Sequence, residues 1–316
     1  MEKILKWLLK TKLNVLGKIK MNKILLGIFV TSFLLLVNGS EKVVAKSRGE
    51  VKLSLQFNSE ILDTVVHYSI YLPPSYDKSD KEFPVLYLLH GFTDDETIWY
   101  KNGWVDQAED QGLNSGKVKE MIIVMPDAGL KWYLNQPSGD FNYEDMFIKE
   151  LIPFIEKTYK VKAEKKYRSI AGLSMGGFGA LGYSMRHPEI FATCVAYSAG
   201  LFHDDEIISY SQNEYDTYFS PIYGKGLVGK ERISEHWNKN NPLVLATKIS
   251  KKDLESVNWY VTCGDDDDLL YGNSLLHKIF WDRGIKHQYR VYDGGHNWNY
   301  WRAYIGEGLI FISKFL

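Results

Sequence analysis

Short apolar runs alternate with longer stretches of helical periodicity along most of this chain. Runs rich in Val, Ile, Leu and Tyr stand at 51–57, 65–72, 85–89, 121–125, 167–171, 192–197, 259–263 and 288–292, each with the length and residue content of a strand. Several of the later runs are apolar at nearly every position, the pattern of strands buried on both faces of a parallel sheet. Between them, 143–159 places Phe147, Leu151, Phe154 and Ile155 on one stripe, and 175–186, 270–283 and 298–315 carry the same period, so helices are predicted there. Strands and helices in alternation imply an α/β domain with a mostly parallel central sheet and helices on both faces.

Residues 199–251 interrupt the alternation. They are polar, carry Tyr210, Tyr215, Tyr218 and Tyr223, and end in a helix-like 229–237 before Asn241-Pro242. So long an excursion is expected to be an insertion bordering the active site; a surface decoration without a substrate role is the equal alternative.

The first 45 residues have a different character. The run 24–37, mostly Ile, Leu, Val and Phe and free of charge, is fourteen residues long, short for a bilayer span and suited to a signal-peptide core. Met21-Asn22-Lys23 supplies a basic start and Val43-Val44-Ala45 a small-residue cleavage site. Residues 1–45 are therefore expected to be a signal peptide, with Met1 to Lys20 as an upstream extension, and 46–316 the exported domain, secreted or held in the periplasm or at the cell surface. An uncleaved N-terminal anchor competes with this. With 45% hydrophobic and 24% charged residues and no repeat or linker, one globular domain is expected. Removing 1–45, with eight lysines and two glutamates, takes the formal charge from −1 to −7. That mild acidity argues against nucleic acid or an anionic membrane as a partner. Cys194 and Cys263 lie in strand-like runs without metal-ligand spacing; buried free thiols on neighbouring strands are expected, one disulfide being the alternative. Neither a metal nor a cofactor is expected.

The chemistry concentrates at three places. Gly172-Leu173-Ser174-Met175-Gly176 sits between a predicted strand and a predicted helix, the context that turns a serine outward on a sharp elbow. An acidic run, Asp265 to Asp268, and then Gly294-Gly295-His296 follow late predicted strands. The chain order Ser, Asp, His is that of α/β-hydrolases. Ser174 is the candidate nucleophile and His296, in a glycine-flanked loop, the candidate base. The other histidines lie within a strand, at a helix end or in polar segments. Residue type and position do not choose among the four aspartates, which also read as a solvated loop or cation site; the Asp/Asn and Gly alternation of an EF-hand is absent. His90-Gly91-Phe92 ends another strand, where a glycine lets a backbone N–H approach the reacting centre, and Met175 N–H is the other expected oxyanion donor.

Tyr87-Leu88-Leu89-His90-Gly91-Phe92, Gly172-Leu173-Ser174-Met175-Gly176-Gly177, Gly294-Gly295-His296-Asn297-Trp298 and the following Trp301-Arg302 resemble the esterase family of α/β-hydrolases. That family contains feruloyl and acetylxylan esterases of carbohydrate esterase family 1, S-formylglutathione hydrolases, tributyrin esterases and mycolyltransferases. The resemblance runs from about Val51 to the C-terminus and implies an α/β-hydrolase fold. Relatives place the acid two positions before an apolar pair, which points to Asp267, with Asp266 second; the run of four departs from their single or paired acid. They place the second oxyanion donor after the His-Gly pair, here Phe92. Trp99, Tyr100, Trp104, Trp132, Tyr133, Trp298 and Tyr300 fall in segments expected to surround the site, with Trp99, Trp132 and Trp298 as substrate contacts. Export and the resemblance together imply a serine esterase acting on feruloyl or acetyl esters of plant cell-wall polysaccharides such as xylan. A generalist short-chain esterase, an S-formylglutathione hydrolase-like enzyme, an acyltransferase and an inactive carbohydrate-binding protein are the alternatives.

Overall fold

In the computed structural model, which describes residues 47–316, eight strands form one sheet in the order β1-β2-β4-β3-β5-β6-β7-β8. They are β1 Glu50–Ser59, β2 Thr64–Leu72, β3 Val85–Leu89, β4 Ile122–Pro126, β5 Arg168–Leu173, β6 Thr193–Tyr197, β7 Asn258–Gly264 and β8 His287–Tyr292. β1 pairs antiparallel with β2, and β2 with β4; from β4 to β8 every pairing is parallel. Every run predicted as a strand is one, with ends displaced by one or two residues. The expected signal peptide, 1–45, lies outside the described residues.

Helices cover both faces, as the doubly apolar strands require. We label four of them: α1 Val105–Asn114, α2 Met175–Arg186, α3 Leu270–Asp282 and α4 Trp298–Ser313. A further helix runs over Tyr143–Met146, passes through a π turn at Phe147–Leu151 and resumes over Ile152–Thr158. Side chains of α2, α3 and this π-bulged helix join Val85, Tyr87 and Leu89 of β3 in one core; α1 and α4 pack with Leu86 and Leu88 in the other. Cys194 and Cys263 are buried free thiols on the adjacent strands β6 and β7, and burial pushes the Cys194 thiol up to about 12.

Residues 199–251 fold as short helices, Asp204–Ser209, Gln212–Tyr218, Ser220–Tyr223, Glu235–Asn240 and Pro242–Lys248, with a 3-10 turn at Gly229–Arg232. The single helix expected over 229–237 is two elements. The chain leaves helical geometry at Ile233, and Ser234 caps a new helix by accepting the Trp237 N–H. Arg232 organises this segment from its interior. Its buried guanidinium donates to the carbonyls of Ile207, Ile208, Tyr210 and Leu227 and to Gln212 Oε1, and lies 4.4 Å from the Tyr215 ring centre. Three of those carbonyls are orphans at the C-terminal end of Asp204–Ser209, where the helix dipole favours a cation.

Candidate active site

β5 ends at Leu173 and α2 begins at Met175, so Ser174 alone makes the turn. Its backbone sits at φ 51°, ψ −117°, strained for a residue with a Cβ. The flanking glycines are steric necessities. A Cβ at Gly172 would stand 2.4 Å from the Gly176 carbonyl carbon, and one at Gly176 would stand 2.4 Å from Leu89 O. Tyr197 O accepts the Ser174 N–H at 2.9 Å, and Gly200 N–H donates to Ser174 O at 2.8 Å, which ties the elbow to the end of β6.

His296 reaches this serine from the loop after β8. Its Nε2 lies 2.9 Å from Ser174 Oγ, and its Nδ1 lies 3.0 and 3.1 Å from the two Asp267 carboxylate oxygens. An ionised carboxylate only accepts, so Nδ1 carries the proton and Nε2 accepts the serine hydroxyl. Asp267 is 4% exposed. Burial opposes its ionisation, but the His296 hydrogen bond and charge, the Ser198 hydroxyl and the Leu269 N–H outweigh that and hold it below the usual carboxylate range. Its neighbours in the run are exposed. Asp265 Oδ1 accepts the Gly294 N–H, and Asp266 N–H donates to Gly294 O, so these two stitch the acidic loop to the histidine loop.

The β3 loop closes the serine's other side. A Cβ at Gly91 would lie 2.6 Å from Leu173 Cδ1 and 3.7 Å from Ser174 Cβ, which puts the Gly91-Phe92 backbone beside the elbow. Met175 opens α2, so no helical carbonyl takes its N–H. His90, which the sequence marks only as the residue before Gly91, is the support of this loop. It is buried, its Nδ1–H donates to Gly91 O at 2.7 Å, and its Nε2 accepts the Ala128 N–H at 2.9 Å. Tyr133 hydroxyl adds a bond to His90 O. Thr93, Trp132, Tyr133 and Ser198 share the positive φ of Ser174, so strained backbone concentrates around this centre.

The three expected aromatic contacts occupy different positions. Trp99 is 1% exposed, its indole N–H donating to Leu89 O; it supports the end of β3 from below and has no surface for a ligand, which corrects its expected role. Trp132 is 5% exposed and packs against Phe92, Phe178, Phe202 and Phe219, its N–H bound to Tyr218 O. Its ring edge faces Gly200, where a Cβ would stand 2.9 Å from Trp132 Cζ3 and 3.4 Å from Ser174 O. Trp298 is half-buried, edge-on to Trp99 and Trp301. Tyr133 and Tyr300 are buried too. Tyr218, on the 199–251 segment, is 44% exposed with its ring 5.6 Å from that of Phe92. Sequence reading noted it only as one of four tyrosines there; nothing local marks it, because its place depends on how the short helices pack.

A mostly parallel sheet that carries serine, aspartate and histidine after its fifth, seventh and eighth strands, joined in one hydrogen-bonded row, defines an α/β-hydrolase of the serine ester hydrolase class. Residues 59–312 match the model of the "Putative esterase" family, and the chain belongs to it. It is 31% identical over 247 residues to Esterase Rv1288 of Mycobacterium tuberculosis, an alignment covering 72% of this chain and 52% of that protein. The chain thus spans about half the length of that relative. It is 25% identical to an acetyl esterase of Caldicellulosiruptor saccharolyticus, over 83% of this chain and 98% of that protein. Among solved structures, a ferulic acid esterase superposes with a TM-score of 0.72 at 33% identity, over 85% of this chain and 98% of that one.

Proposed function

We propose that this chain hydrolyses feruloyl or acetyl esters attached to plant cell-wall polysaccharides, through an acyl-enzyme on Ser174, after export. Ser174 Oγ attacks the ester carbonyl while its proton passes to His296 Nε2, and the N–H groups of Met175 and Phe92 receive the developing oxyanion. Asp267 stabilises the imidazolium so formed. Collapse of the tetrahedral adduct breaks the bond to the alcohol, which takes the proton from Nε2, and water repeats the sequence to release the acid. The row from Ser174 to Asp267, with its 2.9 Å link between Ser174 and His296, is the observation that carries this reading.

The acyl group is argued from the aromatic wall. Phe92 and Tyr218, backed by the buried Trp132, stand together on the Gly91 side of the serine, where a phenolic acyl ring would find apolar surface on the two outer rings. Likeness to a ferulic acid esterase supports the feruloyl choice, and likeness to an acetyl esterase supports the acetyl one. Export rests on the 24–37 run, and material outside the cell would begin after about Ala45.

Relative rates on sugar-linked and simple esters test the substrate claim. If sugar contacts are used in the transition state, feruloylated arabinose or xylo-oligosaccharide will show kcat/KM roughly ten-fold or more above methyl ferulate, about 1.4 kcal/mol. Equal values, with rapid tributyrin cleavage, would remove the polysaccharide claim and leave a generalist short-chain esterase.

A further inference from the structure

Aromatic side chains flank the site on both faces of the sheet. Phe92 packs with the core under α2 and α3, and Trp298 with the core under α1 and α4. The second group lies on the side of the base. Trp298 follows His296 by two residues and opens α4. The Trp301 ring stands between them, perpendicular to His296 with centres 5.0 Å apart and to Trp298 with centres 5.2 Å apart. A Cβ at Gly103 would lie 3.1 Å from Trp298 Cζ3, so the backbone at Gly103 runs against that indole and brings in Trp104 as the next residue. Trp104 has a left-handed backbone, φ 51°, ψ 38°, which is costly for any residue with a side chain and is ordinarily given to Gly, Asn or Asp. Its side chain is held as well. The Arg302 guanidinium, from α4, lies over the Trp104 ring at 4.0 Å from its centre, and Arg302 Nε donates to Asn102 O at 2.8 Å. Trp104 is nevertheless 45% exposed. With a fixed cation on one face of the ring, that exposure leaves the other face to solvent.

Chemistry assigns a use to this side. His296 Nε2 must reach the ester's alcohol oxygen to give it a proton, so the alcohol half of the substrate leaves the serine past the base. We infer that Trp104, clamped by Arg302, and Trp298 form the surface that binds the sugar on the alcohol side of the ester. An indole already fixed in place loses little freedom when a ligand settles on it, and its flat apolar face fits the C–H face of a sugar ring. The left-handed turn at Trp104 then has a reason, since it presents a bulky ring where glycine would be cheaper. This rests on the polysaccharide-ester substrate proposed above.

The test uses the full chain and measures kcat/KM on a feruloylated xylo-oligosaccharide and on methyl ferulate, which share the acyl group and differ in the alcohol. The quantity read is the ratio of the two, which a general loss of folded enzyme does not move. Trp104→Asn and Trp104→Gly both suit the left-handed turn and remove the ring; each is expected to lower the ratio about five-fold. Trp104→Phe keeps an aromatic face and will hold the ratio within about two-fold of the parent. Tyr218→Ala, on the acyl side, will lower kcat/KM on both substrates and leave the ratio unchanged. A ratio that stays at the parent value in Trp104→Asn and Trp104→Gly, or falls as far in Trp104→Phe as in those two, overturns the assignment. The parent protein separates the two levels. A parent that prefers the sugar ester, with variants that share its preference, refutes the Trp104 surface alone, whereas a parent with no preference refutes the substrate reading on which it rests.

Discussion

Within four consecutive aspartates, burial singles out Asp267: it faces the imidazole and accepts the Leu269 N–H, while Asp265, Asp266 and Asp268 meet solvent. Asp267→Asn is therefore expected to cost about 10³–10⁴ in kcat, because an amide cannot stabilise the imidazolium and permits the wrong tautomer. Asp268→Asn should leave kcat within about three-fold, as for an exposed substitution, and steady-state rates across the series decide it. Equal losses would make the run a charge cluster. Ser174 and His296 are legible in the sequence because glycines stand two positions either side of Ser174 and immediately before His296, and glycine close to a reactive residue after a strand is a local signal. The choice among aspartates was not legible from local pattern, since it depends on a loop stitched to Gly294 twenty-nine residues away; there the family resemblance supplied what residue type could not. Trp99 shows the opposite failure. A tryptophan in a loop reads as surface, and only the bond to Leu89 O reveals that it is core.

Two buried ion systems hold the elements that frame the site. Arg232 binds carbonyls at the end of Asp204–Ser209 and at Leu227 and, through Gln212 Oε1, the helix that carries Tyr218. Arg232→Met should leave those carbonyls unpaired and cost about 2–4 kcal/mol. Its expected signature is faster proteolysis within 199–251 and a larger activity loss on methyl ferulate than on p-nitrophenyl acetate; uniform loss on both would detach the insertion from acyl recognition. Glu144 joins the π-bulged helix to the end of α2, accepting two bonds from Arg186 and one from His187. Burial alone would raise its carboxyl, yet Arg186 and His187 hold it at about 2. The unfolded chain, with an ordinary Glu value near 4.3, binds this proton first as pH falls. The stability it contributes is thus complete above about pH 4.3 and is lost as pH falls towards 2. Denaturant unfolding should show that slope, and Glu144→Gln should flatten it, lowering stability most above about pH 4.3 and least near pH 2; an unchanged slope would put the acid sensitivity elsewhere. α1 was not read from the sequence because its buried face is made of Val105, Glu109 and Gly112. A carboxyl that burial pushes well above the usual carboxylate range and a glycine under Val118 leave no apolar stripe to see.

At the scale of the whole molecule, parallel pairing from β4 to β8 gathers Ser174, Asp267, His296 and the Gly91-Phe92 loop at the C-terminal ends of their strands, the edge where such sheets bind ligands. Strand content is readable because the central strands, buried on both faces, are apolar at nearly every position; sheet order needs the structure, as does the packing of 199–251 onto Trp132. The central claim is that the ester carbonyl is attacked by Ser174. Rapid acid quenching of the full chain turning over methyl ferulate, followed by mass analysis of its peptides, tests this most directly. A feruloyl group on the peptide containing Ser174, formed at least as fast as kcat and absent in Ser174→Ala, is the predicted result. Turnover with the acyl group on another residue, or activity retained in Ser174→Ala, would contradict it.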